Sequence, residues 1–127
     1  MALYSDLPIY KHGCDLLALA LEVQTQLPRA FKRSLGEKVH SLCMDMLEDM
    51  AMANAARGQE RLEQIDRLLT RLRAATAMLR VGHEMRAPQP LISHKLWARS
   101  VELLDAVGAQ AGGWRKQTLA ALKAPAA

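Results

Sequence analysis

The arginines and lysines are the residues of this sequence whose chemistry suggests a binding site. The chain has 17 such cations, eleven of them arginine, and the planar guanidinium fork binds phosphate and carboxylate groups through paired hydrogen bonds. Five arginines share an arc of about 120° on the third of the helices predicted below: Arg57, Arg61, Arg67, Arg71 and Arg86. A second group lies near the start of the second helix: Lys32, Arg33 and Lys38. These eight residues are the predicted nucleic-acid-binding site.

Charge is unevenly distributed along the chain. Residues 1–56 carry five basic and seven acidic side chains, a balance of −2, whereas residues 57–127 carry twelve and six, a balance of +6. A basic half of this kind can mark a surface for nucleic acid or for an acidic protein. The alternative is a solvated helix face, on which Glu60, Glu63 and Asp66 pair with neighbouring arginines at helical spacing.

Aromatic residues make up only 4% of the sequence, which limits how nucleic acid could be recognised. Trp97 and Trp114 lie near predicted core positions, so a platform for stacking bases is not expected. Binding would therefore be directed to phosphate, with weak sequence preference and a steep dependence on salt.

No combination of residues predicts catalysis or a metal centre. Glu37 and His40 have the Glu-x-x-His spacing of di-metal four-helix bundles, but the sequence has no second such pair, and Glu37 points away from the core stripe of its helix. Cys14 and Cys43 are too few for a disulfide framework and lack the surroundings of an activated thiolate. We therefore expect no enzyme, no metal and no cofactor; a metal-dependent enzyme is the weakest of the hypotheses.

Helix start and stop signals divide the chain into four helices in a single domain, residues 1–127. The predicted ranges are 7–26, 34–55 and 59–85, followed by a fourth helix after the capping residue Ser93. Asp6 is placed to cap the first helix, and Ser34 with Glu37 has the spacing of a capping box for the second.

Each predicted helix carries an apolar stripe at the three-and-four spacing of a buried face. In the second helix the stripe is Leu35, Val39, Leu42, Cys43, Met46, Leu47, Met50 and Ala53. In the third it is Leu62, Ile65, Leu69, Leu72, Thr76, Leu79 and His83. Because no segment alternates like a strand, the sequence predicts an all-α fold, an antiparallel up-down-up-down four-helix bundle.

The third predicted helix has a second apolar face, on the side that a lone bundle would show to water. Its members are Ala74, Ala77, Met78, Val81 and Met85. A helix that is apolar all round is expected to be buried all round, and so small a chain cannot enclose one of its own helices. These residues therefore predict an interface with another subunit; the alternative is a few tolerated exposed side chains.

Short motifs near the helix ends resemble those of a known family. They are Leu7-Pro-Ile-Tyr10, Leu27-Pro28-Arg29, Asn54-Ala-Ala-Arg-Gly58, and Gly108 with Gly112-Gly113-Trp114. In order and spacing, over about residues 7–118, the chain resembles a bacterial four-helix-bundle family. That family includes proteins encoded in intervening sequences of large-subunit ribosomal RNA and the accessory variability protein of diversity-generating retroelements.

The resemblance implies an up-down four-helix bundle that assembles as a homopentameric ring with a central channel. For the retroelement member it also implies nucleic-acid binding through basic surface and association with a reverse transcriptase. Arg57 is a departure, because intervening-sequence members commonly have Asn-Ile-Ala-Glu-Gly at this place. A base replaces the acid, so no role of that glutamate is carried over.

The sequence therefore predicts a non-enzymatic homo-oligomer, a pentamer by resemblance, that binds DNA or RNA. No membrane association is expected, because the longest strongly apolar run, residues 16–21, is too short to cross a bilayer. Since no signal-peptide pattern is present, we expect a cytoplasmic protein. The alternative function is a structural or protein-interaction module whose basic half meets an acidic protein.

Overall fold

The computed structural model describes residues 3–85 and 90–124, which form helices joined by short connections. The long helices are α1 (Pro8–Gln26), α2 (Lys38–Ala55), α3 (Gly58–Glu84) and α4 (His94–Lys123). A 3-10 turn, Tyr4–Asp6, precedes α1; a short helix, Arg29–Phe31, and a π-helical turn, Lys32–Glu37, lead into α2. The described residues contain no strand, so the predicted all-α class is confirmed.

Helix α1 begins at Pro8, one residue later than a cap at Asp6 predicts. Leu7, whose backbone is extended, is the N-cap residue and makes no side-chain cap, and Pro8 is the first helical residue. Asp6 closes the preceding 3-10 turn instead, so the prediction that it caps α1 is wrong. Proline suits this position because its missing N–H would have had no partner within the helix. The helix ends before Pro28, as predicted.

A capping box at the start of α2 was the second wrong prediction. The chain is already helical from Arg29 and continues through the π-helical turn, so Ser34 and Glu37 lie inside a continuous helical stretch and neither is seen to cap it. Helical backbone bonds satisfy the N–H groups there, which leaves no free donors for a capping box. By contrast, Ser93 caps α4 as predicted, because its Oγ accepts a hydrogen bond from the Leu96 N–H at 3.2 Å.

Each long helix packs against the next one in the chain, and α4 packs against α1. Close contacts join residues in inverse order along neighbouring helices. A Cβ built at Gly13 of α1 would lie 2.9 Å from Met50 Cε, whereas one built at Gly36, before α2, would lie 2.8 Å from Gln24 Cγ. These two contacts indicate that α1 and α2 run in opposite directions.

The core lies among the four long helices and contains most of the predicted stripes. Leu16, Val39, Met46, Met50 and Ile65 are fully buried. Leu42, Leu47, Leu69, Thr76 and His83 are half-buried at its margin. Leu68 and Ala75 of α3 are also buried, although they lie outside the predicted stripe of the third helix. The helix faces buried by packing are therefore wider than the sequence pattern indicated.

Candidate nucleic-acid interface

The described arginines predicted for the third helix form two pairs, each four residues apart, with Arg57 as the N-cap residue of α3. Arg57 and Arg61 line one groove, and Arg67 and Arg71 line another. Since a helix rises 1.5 Å per residue, the pairs are separated by roughly 15 Å along α3. Arg86 lies outside the described residues. The structure thus brings together the members of each pair but spreads the predicted site along the helix.

Arg61 is held by the end of the preceding helix. Its Nε donates to the Ala53 carbonyl oxygen at 2.9 Å, and its Nη2 donates to the Asn54 carbonyl oxygen at 3.2 Å. The guanidinium also lies 5.8 Å from the centre of a Trp114 ring. Cations at the C-terminal end of a helix stabilise its unpaired carbonyls. Arg61 therefore fixes the turn between α2 and α3, and its hydrogen-bond acceptors are carbonyl oxygens rather than carboxylates.

Lys32 has the same role at the end of α1. Its Nζ donates to the carbonyl oxygens of Gln24 and Thr25, at 2.9 and 3.0 Å. This contact ties the π-helical turn to the preceding helix. As with Arg61, the acceptors are carbonyl oxygens rather than carboxylates.

Arg71 forms an ion pair with a buried acid of α2. Its Nη1 lies 2.5 Å from Asp49 Oδ1, and Asp49 is only 3% exposed. The Asp49 Oδ2 atom has no hydrogen-bond partner among the described residues. Burial raises the pKa of Asp49, and the bond from Arg71 opposes that rise. Arg71 is therefore a structural residue whose charge a carboxylate offsets.

The remaining predicted cations are exposed: Arg57, Arg67, Arg33 and Lys38. Asp66, which could have paired with an α3 arginine, instead contacts Arg115 of α4, with Nε 2.6 Å from Oδ1. This cross-helix pair ties α3 to α4.

The sequence did not predict a groove of about 500 Å³ between α3 and α4. Arg73 and Arg80 lie along its α3 side, Trp97 and Val101 form part of its wall, and Gly108 leaves room within it. The groove depends on which small residues of α4 face α3, and that register is set by packing. Small residues such as Gly108 and Ala109 recur along α4, so the sequence alone did not single out those that line the groove.

The predicted interface residues of α3 are partly exposed. Ala74, Ala77 and Val81 are exposed, and Val81 shows 56% of its surface. Met78 is half-buried and packs against the core of its own chain, and Met85 is half-buried. The apolar face of α3 is therefore narrower than predicted and is centred on the two alanines and the valine.

Other reactive side chains have local structural contacts. The His83 ring stacks on Trp97, with centroids 5.4 Å apart and planes 11° from parallel, and its Nδ1 lies 3.4 Å from the Ile92 carbonyl oxygen. Cys14 is exposed, whereas burial raises the pKa of the Cys43 thiol to about 12. Within residues 3–85 and 90–124, no three His, Cys, Asp or Glu side chains are grouped closely enough to hold a metal ion.

No helix in the described part of the chain combines the length and the apolar character that crossing a membrane requires. No known protein-family model, curated protein or solved structure matches the chain. The family resemblance drawn from the helix-end motifs thus stays a prediction.

Proposed function

We propose that the chain is an antiparallel up-down-up-down four-helix bundle that forms a homo-oligomeric ring and binds nucleic acid without catalysing a reaction. The binding surface would comprise exposed cations of α3 and of the segment that leads into α2. The arginines of α3 carry the proposal. Arg57 and Arg67 are exposed, and Arg61 donates to neutral carbonyls. Among the residues that the structure describes, no carboxylate is bonded to these three arginines.

Assembly would strengthen this surface. One chain has a net charge of +4, so a ring of five would carry about +20 by multiplication, and such a field attracts polyanions over a longer range. The family resemblance supports five subunits and extends the proposal to a reverse transcriptase as a partner. The exposed apolar face of α3 supports assembly independently of that resemblance.

A second candidate function is a structural or protein-interaction module with no nucleic-acid role. It is favoured by the use of Lys32, Arg61 and Arg71 in contacts within the chain. If these side chains serve only to join helices, the basic half of the sequence reflects the stability of the bundle rather than a ligand.

Charge reversal of the two exposed arginines of this set, Arg57 and Arg67, tests the proposal. A double variant, Arg57→Glu with Arg67→Glu, should bind labelled duplex DNA and a structured RNA at least about tenfold more weakly at low salt, a loss of about 1.4 kcal/mol. Fluorescence anisotropy measures both affinities. Arg71 is unsuitable as a probe, because an acid there would face the buried Asp49 and destabilise the fold.

The matched control reverses two exposed lysines on other helices, Lys11→Glu with Lys95→Glu. It changes the net charge of the chain by the same amount, so it should lose only the long-range part of the affinity. Equal losses in both double variants would show that α3 is not the binding surface. No binding by the wild-type protein at low salt would exclude the nucleic-acid function and favour the interaction module.

A further inference from the structure

We infer that the groove between α3 and α4 receives the outer face of α2 from a second copy of this chain. This inference rests on the homo-oligomer of the proposed function and names the two surfaces that would form it. The first, the methionine face, consists of Met44, Glu48 and Met52 on α2. The second, the arginine groove, is lined by Arg73, Ala77, Arg80, Trp97, Val101 and Gly108.

The methionine face is an unpartnered apolar surface with an acid at its centre. Met44 and Met52 are 52% and 51% exposed, and Glu48 is exposed between them. Because neighbouring members are four positions apart, all three side chains project from the same side of α2, opposite its buried stripe. Large exposed apolar side chains grouped in this way indicate a contact surface.

The arginine groove has the complementary character. Arg73 and Arg80 place positive charge along its α3 side, whereas its interior includes Trp97, Val101 and Ala77. Asp105 also lines the groove, on α4, so the lining has a net charge of +1 from these three side chains. Exposed Val81 continues the apolar surface along α3 from Ala77.

The two surfaces agree in length. Met44 and Met52 are eight residues apart, about 12 Å along α2, and Arg73 and Arg80 are seven apart, about 10 Å along α3. Two methionine side chains, which adapt readily to irregular apolar gaps, would fill the groove while Glu48 meets an arginine at its edge.

Repulsion between like charges also disfavours contact between two identical surfaces. Two methionine faces would bring Glu48 against Glu48, and two arginine grooves would bring arginines together, and like charges across an interface are unfavourable. A contact between two different surfaces leaves one of each unused at the ends of a dimer. Further copies can therefore add, and a ring forms where the rotation between neighbouring copies closes.

Sedimentation velocity of mixed variants tests this arrangement. Met52→Lys on the methionine face and Ala77→Arg in the groove should each give a monomer at concentrations where the wild-type protein is an oligomer. Both positions lie on helix surfaces, so circular dichroism should show unchanged helix content. Mixed in equal amounts, the two variants should form a dimer and nothing larger, because only one functional pair of surfaces remains.

Charge exchange gives a second, independent readout. Glu48→Arg and Arg80→Glu should each raise the dissociation constant about tenfold or more, and the two substitutions in one chain should restore assembly. For Met52→Lys and Ala77→Arg, the matched controls are Leu21→Lys and Ala18→Arg at exposed positions of α1, which should leave the oligomer unchanged.

The outcomes separate this inference from the proposed function. A wild-type oligomer that neither surface variant disrupts would overturn the inference but leave the homo-oligomer standing. Dimers formed by each single variant alone would show like surfaces pairing and would also overturn it. A monomeric wild-type protein would overturn both the inferred contact and the homo-oligomer. The nucleic-acid-binding proposal would then be judged by the binding measurements alone.

Discussion

At the scale of single residues, Asp49 and Arg71 join α2 to α3 through a contact in which burial and charge act in opposite directions. Burial disfavours the ionised carboxylate, and its Oδ2 receives no hydrogen bond among the described residues. Arg71 supplies the bond that makes the carboxylate tolerable. Pairs of this kind contribute little relative to an apolar contact but are costly to break from one side.

Removing Arg71 should therefore destabilise the protein more than removing an exposed neighbour. Arg71→Ala leaves the Asp49 carboxylate buried without its partner, and we expect a loss of about 1–3 kcal/mol in the free energy of unfolding. The lower part of that range applies because the Arg71 side chain is 35% exposed. Arg67→Ala, on an exposed position, should change stability by less than about 0.5 kcal/mol. Urea unfolding measures both, and equal effects would contradict a structural role for Arg71.

The raised pKa of Asp49 predicts a pH dependence of known sign. Because the native pKa lies above the ordinary value of 3.8, the native state holds more protons than the unfolded state between these two values. The contribution of Asp49 to stability is full below pH 3.8 and is lost as pH rises through the native pKa. Asp49→Asn, which resembles the protonated acid, should therefore become more stable relative to wild type as the pH is raised from about 4 to 7.

Urea unfolding across that pH range measures the difference. Asp15→Asn, at an exposed position of α1, is the control for replacing a carboxylate by an amide. A wild-type protein that gains stability relative to Asp49→Asn as pH rises would mean that Arg71 outweighs burial.

At the scale of helices, glycines mark where neighbouring side chains pack closely against a helix backbone and where they do not. A Cβ built at Gly82 of α3 would lie 2.6 Å from Ile92 Cδ1 and 3.0 Å from Leu35 Cδ2. Ile92 is 1% exposed, so it has little space into which to move. At Gly112 of α4, by contrast, no described atom outside its own local stretch of helix lies within 4 Å of the added carbon.

Alanine should have opposite effects at these two helical glycines. Gly82→Ala should destabilise the protein by about 1–3 kcal/mol through overpacking, which exceeds the helix-propensity gain. Gly112→Ala should stabilise it by about 0.5–1 kcal/mol, because alanine loses less backbone freedom in a helix. Thermal unfolding of the two variants tests this, and stabilisation by both would contradict the close contact between α3 and the segment before α4.

Local sequence signals predicted the positions of the helices well. They predicted poorly which residues of different helices are in contact. Ser93 was predicted correctly because a cap depends on residues within one turn. The prediction of a capping box at Ser34 was wrong because the helix starts earlier, after Pro28. The π-helical turn then continues the helical backbone through Ser34. The burial of Asp49 and the groove beside Arg80 depend on which residues of two helices face each other. Such register follows from the packing of all four helices, which no single helix pattern contains.

At the scale of the whole molecule, the position of charge matters more than its total. The +4 of the chain combines a slightly acidic first half with a basic second half. In the proposed contact between copies, the acid of α2 meets the arginine groove of α3 and α4, which leaves Arg57 and Arg67 outside that interface. The two functions proposed for the basic half, assembly and nucleic-acid binding, would thus use different arginines of the same helix.

Salt dependence of nucleic-acid binding is the measurement that tests the central claim most directly. If the exposed cations bind phosphate, the affinity of the wild-type protein for duplex DNA or structured RNA should fall several-fold or more between about 50 and 200 mM salt, with a linear relation between log affinity and log salt concentration. The fall reports counterions released as phosphates are neutralised, and its slope should be smaller for Arg57→Glu with Arg67→Glu. Undetectable binding at the lower salt concentration, or an affinity that does not change with salt, would contradict the proposal that this surface binds nucleic acid.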